Sequence, residues 1–309
     1  MKKVLHIGIN INSGFSGRAI QIQKLINYTH AKHSTFSVYG DAKNSNRKLR
    51  FIDLLRLLKL FIIDKENDIY IFHGWWMGCL LIPLLTFKKK IIFQSTCIGY
   101  DDFNSMKIGL KKICILGINT FIEQGIPQEK ENSIVYSKEK CNKITLPNIS
   151  DLKKDLTDAK ELTKGSVIHS GVISKRKRQI ASIFFLENIP YIKKVDFYGP
   201  YNENHDSDEN YVRKFNLTID NSSKSFYRGV YTPKELPEIL KSYEYFCVSS
   251  LKEGMSNFYI ECLVHGLKPI ILPGSDIRLF KQLDKISSNK NYTDIFFYHP
   301  IEVWNKILK

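Results

Sequence analysis

The chain has 309 residues, enough for two domains of ordinary size, each with its own core. Its residues are 43% apolar, yet no apolar run approaches the ~20 residues of a membrane-spanning helix; residues 77–87 come closest and are broken by Pro83. The net charge of +15 is uneven: residues 1–150 carry 22 basic and 11 acidic side chains and the remainder 24 and 20, so the first half is the side suited to anionic matter.

The opening Met-Lys-Lys-Val-Leu-His-Ile-Gly reads as a strand over 4–9, not a signal peptide. The loop from Asn10 to Ala19 follows, with Gly14 and Gly17 permitting close backbone approach and Arg18 able to reach a phosphate, before a helix over 20–28. A strand–glycine–helix turn is equally a common structural device, and this one lacks the G-x-G-x-x-G spacing, so no nicotinamide or flavin cofactor is indicated. Residues 47–63 have helical period, with Arg50, Asp53, Arg56 and Lys59 along one side and a broad Leu/Ile/Phe face opposite. Such a helix either packs on a core with its basic side solvated or meets anionic lipid headgroups. Nucleic acid is not an expected partner, because the helix lacks interleaved aromatics and no recognition module is visible.

Further apolar strands are expected over 35–39, 69–73, 91–95, 120–122 and 144–146. His73, Asp101 and Asp102 fall at or just after strand ends, where a second substrate would be held; a packed histidine and ordinary loop acids are the bland alternatives. Trp75 and Trp76 either stack on a ligand or fill core. The polar stretch 148–164 is the best domain boundary, dividing the chain into 1–150 and 151–309. Beyond it, strands are expected over 166–170, 195–199, 225–228, 245–250 and 269–272, with a weaker candidate over 294–298. Strands alternating with helices imply parallel sheets covered on both faces. The Asp-x-Asp at Asp206 and Asp208 lies in a long polar loop and is read as solvated, so no metal is expected. Six scattered cysteines without a C-x-x-C pair suit reduced thiols in a cytosolic protein.

The most informative segment is Glu253-Gly254-Met255-Ser256-Asn257-Phe258-Tyr-Ile-Glu261. It follows an apolar strand; Ser256 can cap a helix running to about His265, and Gly266 supplies a stop. Strand, glycine-bearing loop and helix start make an anion site, because free amides and the positive dipole end converge there. Glu253 stands at its lip and Glu261 in the second helical turn. Upstream, Gly171 opens a basic loop with Lys175, Arg176, Lys177 and Arg178.

With Gly266 and Pro269, the segment from Glu253 to Ile271 resembles the E-x7-E signature of retaining nucleotide-sugar glycosyltransferases, family 4 type. Leu146-Pro-Asn-Ile-Ser-Asp151 resembles the turn that ends the family's first domain, and Lys177 stands at the lysine offset of its G-R-x-x-x-x-K-G loop. The implied fold is α/β of GT-B type: two Rossmann-like, doubly wound parallel-sheet domains facing each other across a cleft. The first domain lies on the acceptor side and the second binds the nucleotide sugar. The implied reaction transfers a sugar from a nucleotide-diphosphate donor to an acceptor hydroxyl with retention, as in bacterial surface-polysaccharide synthesis at the inner face of the cytoplasmic membrane.

In that scheme Lys177 and Arg176 neutralise the diphosphate, and the backbone of Gly254, Met255, Ser256, Asn257 and Phe258 meets phosphate. Glu261 holds the ribose, and Glu253 faces the donor sugar. Gly14 and Gly171 belong to the donor side; His73, Arg18, Asp101 and Asp102 to the acceptor or sugar side. The expected partners are the donor and a glycan or lipid-linked acceptor, with peripheral contact to anionic membrane through 47–63 and neither metal nor cofactor. Val172 replaces the usual arginine, Arg178 the usual glycine, and Gln94 or Ser95 the usual histidine. These departures keep a second reading open, a catalytically silent relative that binds glycan or partners an active transferase. A nucleotide-sugar epimerase on the same architecture is a third.

Overall fold

The computed structural model describes residues 1–9, 17–38, 51–73, 90–98, 118–124, 142–150, 163–201, 208–253, 255–284 and 291–309. They form two compact units, Met1–Asp151 with Leu279–Lys309, and Leu152–Arg278.

In the first unit, β1 (Lys3–Ile9) is followed by α1 (Gly17–Tyr28), β2 (Lys32–Val38), α2 (Phe51–Ile63), β3 (Ile69–His73), β4 (Lys90–Ile98), β5 (Thr120–Gln124) and β6 (Asn142–Leu146). All six strands pair in parallel in the order β2-β1-β3-β4-β5-β6. Val4, Ile7, Ile71, Phe72, Ile91 and Phe93 are fully buried, as befits strands covered on both faces. Strand order reverses between β1 and β3, the crevice where doubly wound sheets hold ligands.

The second unit runs β7 (Thr163–Ser170), α3 (Gln179–Glu187), β8 (Lys194–Tyr198), α4 (Glu209–Asp220), β9 (Ser225–Gly229), α5 (Leu236–Leu240), β10 (Tyr243–Val248), α6 (Asn257–Val264) and β11 (Lys268–Ile271), and its last residue, Arg278, opens α7 (Arg278–Leu283), which carries the chain back to the first unit. Its parallel sheet has the order β11-β10-β7-β8-β9, so the reversal lies between β7 and β10. Val167, Ile183, Leu186, Val195, Phe197, Phe215 and Cys247 form its core. Two glycines shape the strand ends there. Gly199 has φ of 143°, and a Cβ on it would sit 2.0 Å from the Gly171 carbonyl oxygen, so no other residue fits.

The closing stretch corrects the expected division. Residues 279–309 belong to the first unit, not to the second. A π-helical turn (Asp294–Tyr298) replaces the weak strand candidate and leads into α8 (His299–Ile307). Phe297, Trp304, Ile307 and Leu308 join Val4, Leu25, Ile69 and Ile71 in one core. Ser150 N donates to Phe296 O (2.8 Å) and His30 N to Asn305 Oδ1 (2.8 Å), tying the stretch to the segments after β6 and before β2. The run Ile-Phe-Phe-Tyr has strong strand propensity, but as a helical turn it buries Ile295, Phe296 and Phe297, and Phe297 joins Trp304 and Ile307 against the existing core.

Candidate functional site

Lys177 and Glu253 meet at the reversal point of the second unit. Past β7, the turn through 174–178 is closed by Lys177 N and Arg178 N, which both donate to Ser174 O at 3.1 Å. Arg178 is left-handed (φ 56°), a conformation costing a non-glycine residue about 1–2 kcal/mol. Compensating bonds hold it: its guanidinium donates to Pro273 O (3.0 Å), and Gln179 of α3 donates to Val172 O (2.9 Å) while accepting from Ser174 N (3.1 Å). The methylenes of Lys177 lie across Gly171, where a Cβ would come within 3.1 Å of Lys177 Cε.

The segment after β10 is stitched to this turn. Leu251 N donates to Arg176 O (3.1 Å), Ser249 Oγ to Lys177 O (2.5 Å), and Arg176 Nη1 to Lys252 O (3.1 Å). Glu253 is braced separately. Its N–H donates to Asp276 Oδ2 (2.9 Å), and its carbonyl accepts from Arg278 Nη2 (3.1 Å). Asp276 and Arg278 are themselves paired at 2.8 Å. Burial would raise the Asp276 carboxyl, but the hydrogen bonds from Arg278 and from Glu253 N–H outweigh it and hold the pKa below its ordinary value. The Lys177 ammonium therefore bonds the Glu253 carboxylate directly, with Arg176 Nη1 3.7 Å from the same oxygen. Lys177 and Glu253 side chains are only 11% and 17% exposed, whereas Arg176 is 38% exposed.

Helix α6 starts as the sequence suggests, with Ser256 extended at the N-cap position, although its hydroxyl makes no cap bond. It ends in a Schellman closure: Gly266 (φ 82°) donates to Leu263 O and Leu267 N to Cys262 O, both at 3.0 Å. Met255 and Phe258 are buried, so what they offer a ligand is backbone, at the amino end of the helix. Asn257 is the first helical residue. Glu261 is also buried, at 9% exposure. Its charge adds to burial in raising the phenol of Tyr231, whose hydroxyl shares a 2.8 Å hydrogen bond with Ser170 at the end of β7. Tyr259 is raised by burial and then by the charge of Glu253.

His73 ends β3 in the first unit and is 2% exposed. Its Nε2 lies 2.9 Å from His6 Nδ1; His6 Nε2 lies 2.8 Å from His33 Nδ1, and His33 Nε2 lies 2.8 Å from Thr29 Oγ1. Parallel register puts His33 beside Val4 and His73 beside Gly8, so the three rings form a diagonal on one face of β2, β1 and β3. Burial, then the neighbouring His73 and His33, hold His6 well below the usual histidine range. His73 is accordingly packed among polar neighbours. Arg18 falls in the first turn of α1, with its side chain outside the described residues; Gly14, Trp75, Trp76, Asp101, Asp102 and Gly254 also lie outside them. Asp208 caps α4 through Asn210 N (2.9 Å) and pairs with Lys175 at 2.7 Å. Cys247 and Cys262 are buried free thiols.

On α2, Leu57 is buried while Leu55, Ile62 and Ile63 are 47%, 80% and 60% exposed, beside exposed Arg56 and Lys59. Among the described residues no helix is long and apolar enough to cross a membrane.

Sequence reasoning missed Asp276, Arg278, His169, Ser249 and Tyr231. The available signal was position: Ser249 and Asp276 follow the apolar runs of β10 and β11, whose carboxyl ends border the same crevice.

No family model matches the chain, and no curated protein matches it by sequence. Solved structures do. Sucrose-phosphate synthase from Thermosynechococcus elongatus superposes with a TM-score of 0.69 at 12% identity, covering 100% of this chain and 98% of that one. A glycosyltransferase from Rickettsia africae gives 0.64 at 12% identity, covering 100% and 99%. Anabaena HepE in complex with UDP-glucose gives 0.60 at 12% identity, covering 100% and 98%. The fold is GT-B. At such identities the likeness is one of fold alone.

Proposed function

We propose that the protein is a retaining glycosyltransferase that moves a sugar from a nucleoside-diphosphate donor to an acceptor hydroxyl. One observation carries this reading: Lys177, Arg176 and Glu253 converge beside the start of α6, at the carboxyl ends of β7 and β10. A departing nucleoside diphosphate gains negative charge as the glycosidic bond breaks, and preorganised cations stabilise that charge best where water is excluded. Lys177 turns from Glu253 to the diphosphate when donor arrives, with Arg176 adding a second cation. The opening amides of α6 meet phosphate, and Glu261 accepts from the ribose hydroxyls. Glu253, released from its ion pair, orients the donor sugar and stabilises oxocarbenium-like charge. No metal takes part in this scheme.

The solved structures of like fold crystallised with UDP or UDP-glucose support a nucleotide-sugar donor. The basic first unit and the mixed apolar and cationic face of α2 fit an acceptor held at an anionic membrane, as for a growing surface polysaccharide on its cytoplasmic side. Thermal unfolding with UDP, GDP, ADP, CMP and dTDP tests the donor class, since a binder raises stability by RT ln(1 + [L]/Kd). One diphosphate is expected to raise the midpoint, and Lys177→Ala to abolish the shift. A shift that survives Lys177→Ala removes that residue from the diphosphate site. Release of the diphosphate from sugar nucleotides by purified protein separates this reading from a silent relative.

A further inference from the structure

His169, near the end of β7, is 2% exposed, and its Nε2 lies 2.7 Å from Ser249 Oγ, which lies 2.5 Å from Lys177 O. A backbone carbonyl only accepts, so the single proton of the serine hydroxyl goes to Lys177 O. Ser249 must then accept from His169, which places the imidazole proton on Nε2 and leaves Nδ1 as a bare lone pair. That Nδ1 is buried and has no hydrogen-bond partner among the described residues. Leaving such a group unsatisfied costs about 1–3 kcal/mol. Packing does not call for it, since the ring lies against Phe197 with centroids 5.2 Å apart, a contact a phenyl ring would make without an orphaned nitrogen. What an imidazole offers here, and a hydrocarbon ring does not, is the Nε2–H that starts the chain to Lys177. The chain ends on the peptide between Lys177 and left-handed Arg178, the point in the turn where the backbone is most strained.

We propose that His169 and Ser249 are positioning residues for Lys177: their relay of two hydrogen bonds fixes the Lys177 carbonyl, and so keeps its side chain across Gly171 and aimed at the donor diphosphate. This rests on the diphosphate role of Lys177 proposed above. Burial, and then the charge of Lys177, push the His169 pKa down to about 3, so the ring stays neutral wherever the enzyme would work.

The test compares side chains that keep or lose the Nε2-like donor. The amide of His169→Gln reaches the Nε2 position; that of His169→Asn stops at Nδ1. Dissociation constants for UDP, or for whichever diphosphate shifts the wild type, are expected within about threefold of wild type in His169→Gln and Ser249→Thr, and to rise roughly tenfold in His169→Asn, His169→Phe and Ser249→Ala, the loss of about one hydrogen bond. Tight binding by the Asn and Phe variants while Lys177→Ala fails to bind overturns the positioning role. Unimpaired binding by Lys177→Ala instead sinks the diphosphate reading. Independently of any nucleotide, 15N spectra of histidine-labelled protein are expected to show a neutral, exchange-protected His169 Nε2–H that is lost in Ser249→Ala. An Nδ1–H tautomer in the wild type refutes the relay.

Discussion

Both units reverse their strand order, yet the polar clusters they build carry opposite chemistry. In the second, an ammonium, a guanidinium and a carboxylate gather at partly buried positions. In the first, three imidazoles run in a line from His73 to Thr29 across one face of β3, β1 and β2. Thr29 Oγ1 donates to Leu25 O at 2.6 Å, so each ring behind it can donate from Nε2 and accept at Nδ1, and the line is satisfied without any charge. Charges at one crevice suit a ligand that brings or develops charge. The imidazole line on the face of the other sheet links its strands and, through His6 and His33, responds to pH.

The largest effect should come from breaking the ionic side. Glu253→Gln is expected to lower turnover by about 10²–10³-fold, as for loss of a preorganised electrostatic group. It should leave UDP binding intact or tighter, because Lys177 no longer has to exchange one partner for another. Steady-state kinetics with a parallel titration check this; loss of binding equal to loss of turnover would make Glu253 a structural residue. Gly199→Ala comes next. Its Cβ cannot coexist with the Gly171 carbonyl at 2.0 Å, so the strand ends must separate. A stability loss of about 3 kcal/mol or more in denaturant unfolding is expected, together with loss of the nucleotide shift.

The neutral side should show itself in acid. His6, and less strongly His33, have folded pKa values lowered from 6.5, so the unfolded chain binds protons that the folded chain refuses. Stability is therefore whole above about pH 6.5 and falls as pH drops below it, by roughly 1.4 kcal/mol per pH unit for each ring that stays neutral. His169 adds to this in the second unit, down to its folded value of about 3. Unfolding midpoints between pH 7 and 5 should decline, and His6→Gln should flatten the decline; an unchanged slope would mean that His6 titrates normally. The smallest effect concerns α2. Ile62→Asp with Ile63→Asp is expected to leave stability within about 0.5 kcal/mol, since both side chains are exposed, while weakening sedimentation with anionic vesicles.

Much of the second unit was legible because its signals are local. The strand–glycine–helix pattern around Glu253 placed α6 and its Gly266 closure, and Lys177 could be counted from Gly171. What stayed hidden is what the chain brings together from afar. Asp276 grips Glu253 across 23 residues, and His169 reaches Ser249 across 80. Nothing in the spacing of those residues announces a contact, because each is one polar side chain beside an apolar strand. The histidine diagonal was equally silent: it exists only once the register of β2, β1 and β3 is known. The division at 279 was misread for the same reason, as the side chains closing the first core are the last to occur in the sequence.

That late closure bears on how the protein is made. A ribosome delivers about 5–20 residues per second, and domains ordinarily condense as they emerge. Here the amino-terminal sheet must wait, its apolar flank uncovered, until Trp304, Ile307 and Leu308 have been translated, whereas the inserted unit between 152 and 278 is complete earlier. The nascent chain therefore finishes its middle before its beginning, and a chain stalled near residue 290 would carry a finished second unit attached to a first one that still lacks Trp304, Ile307 and Leu308.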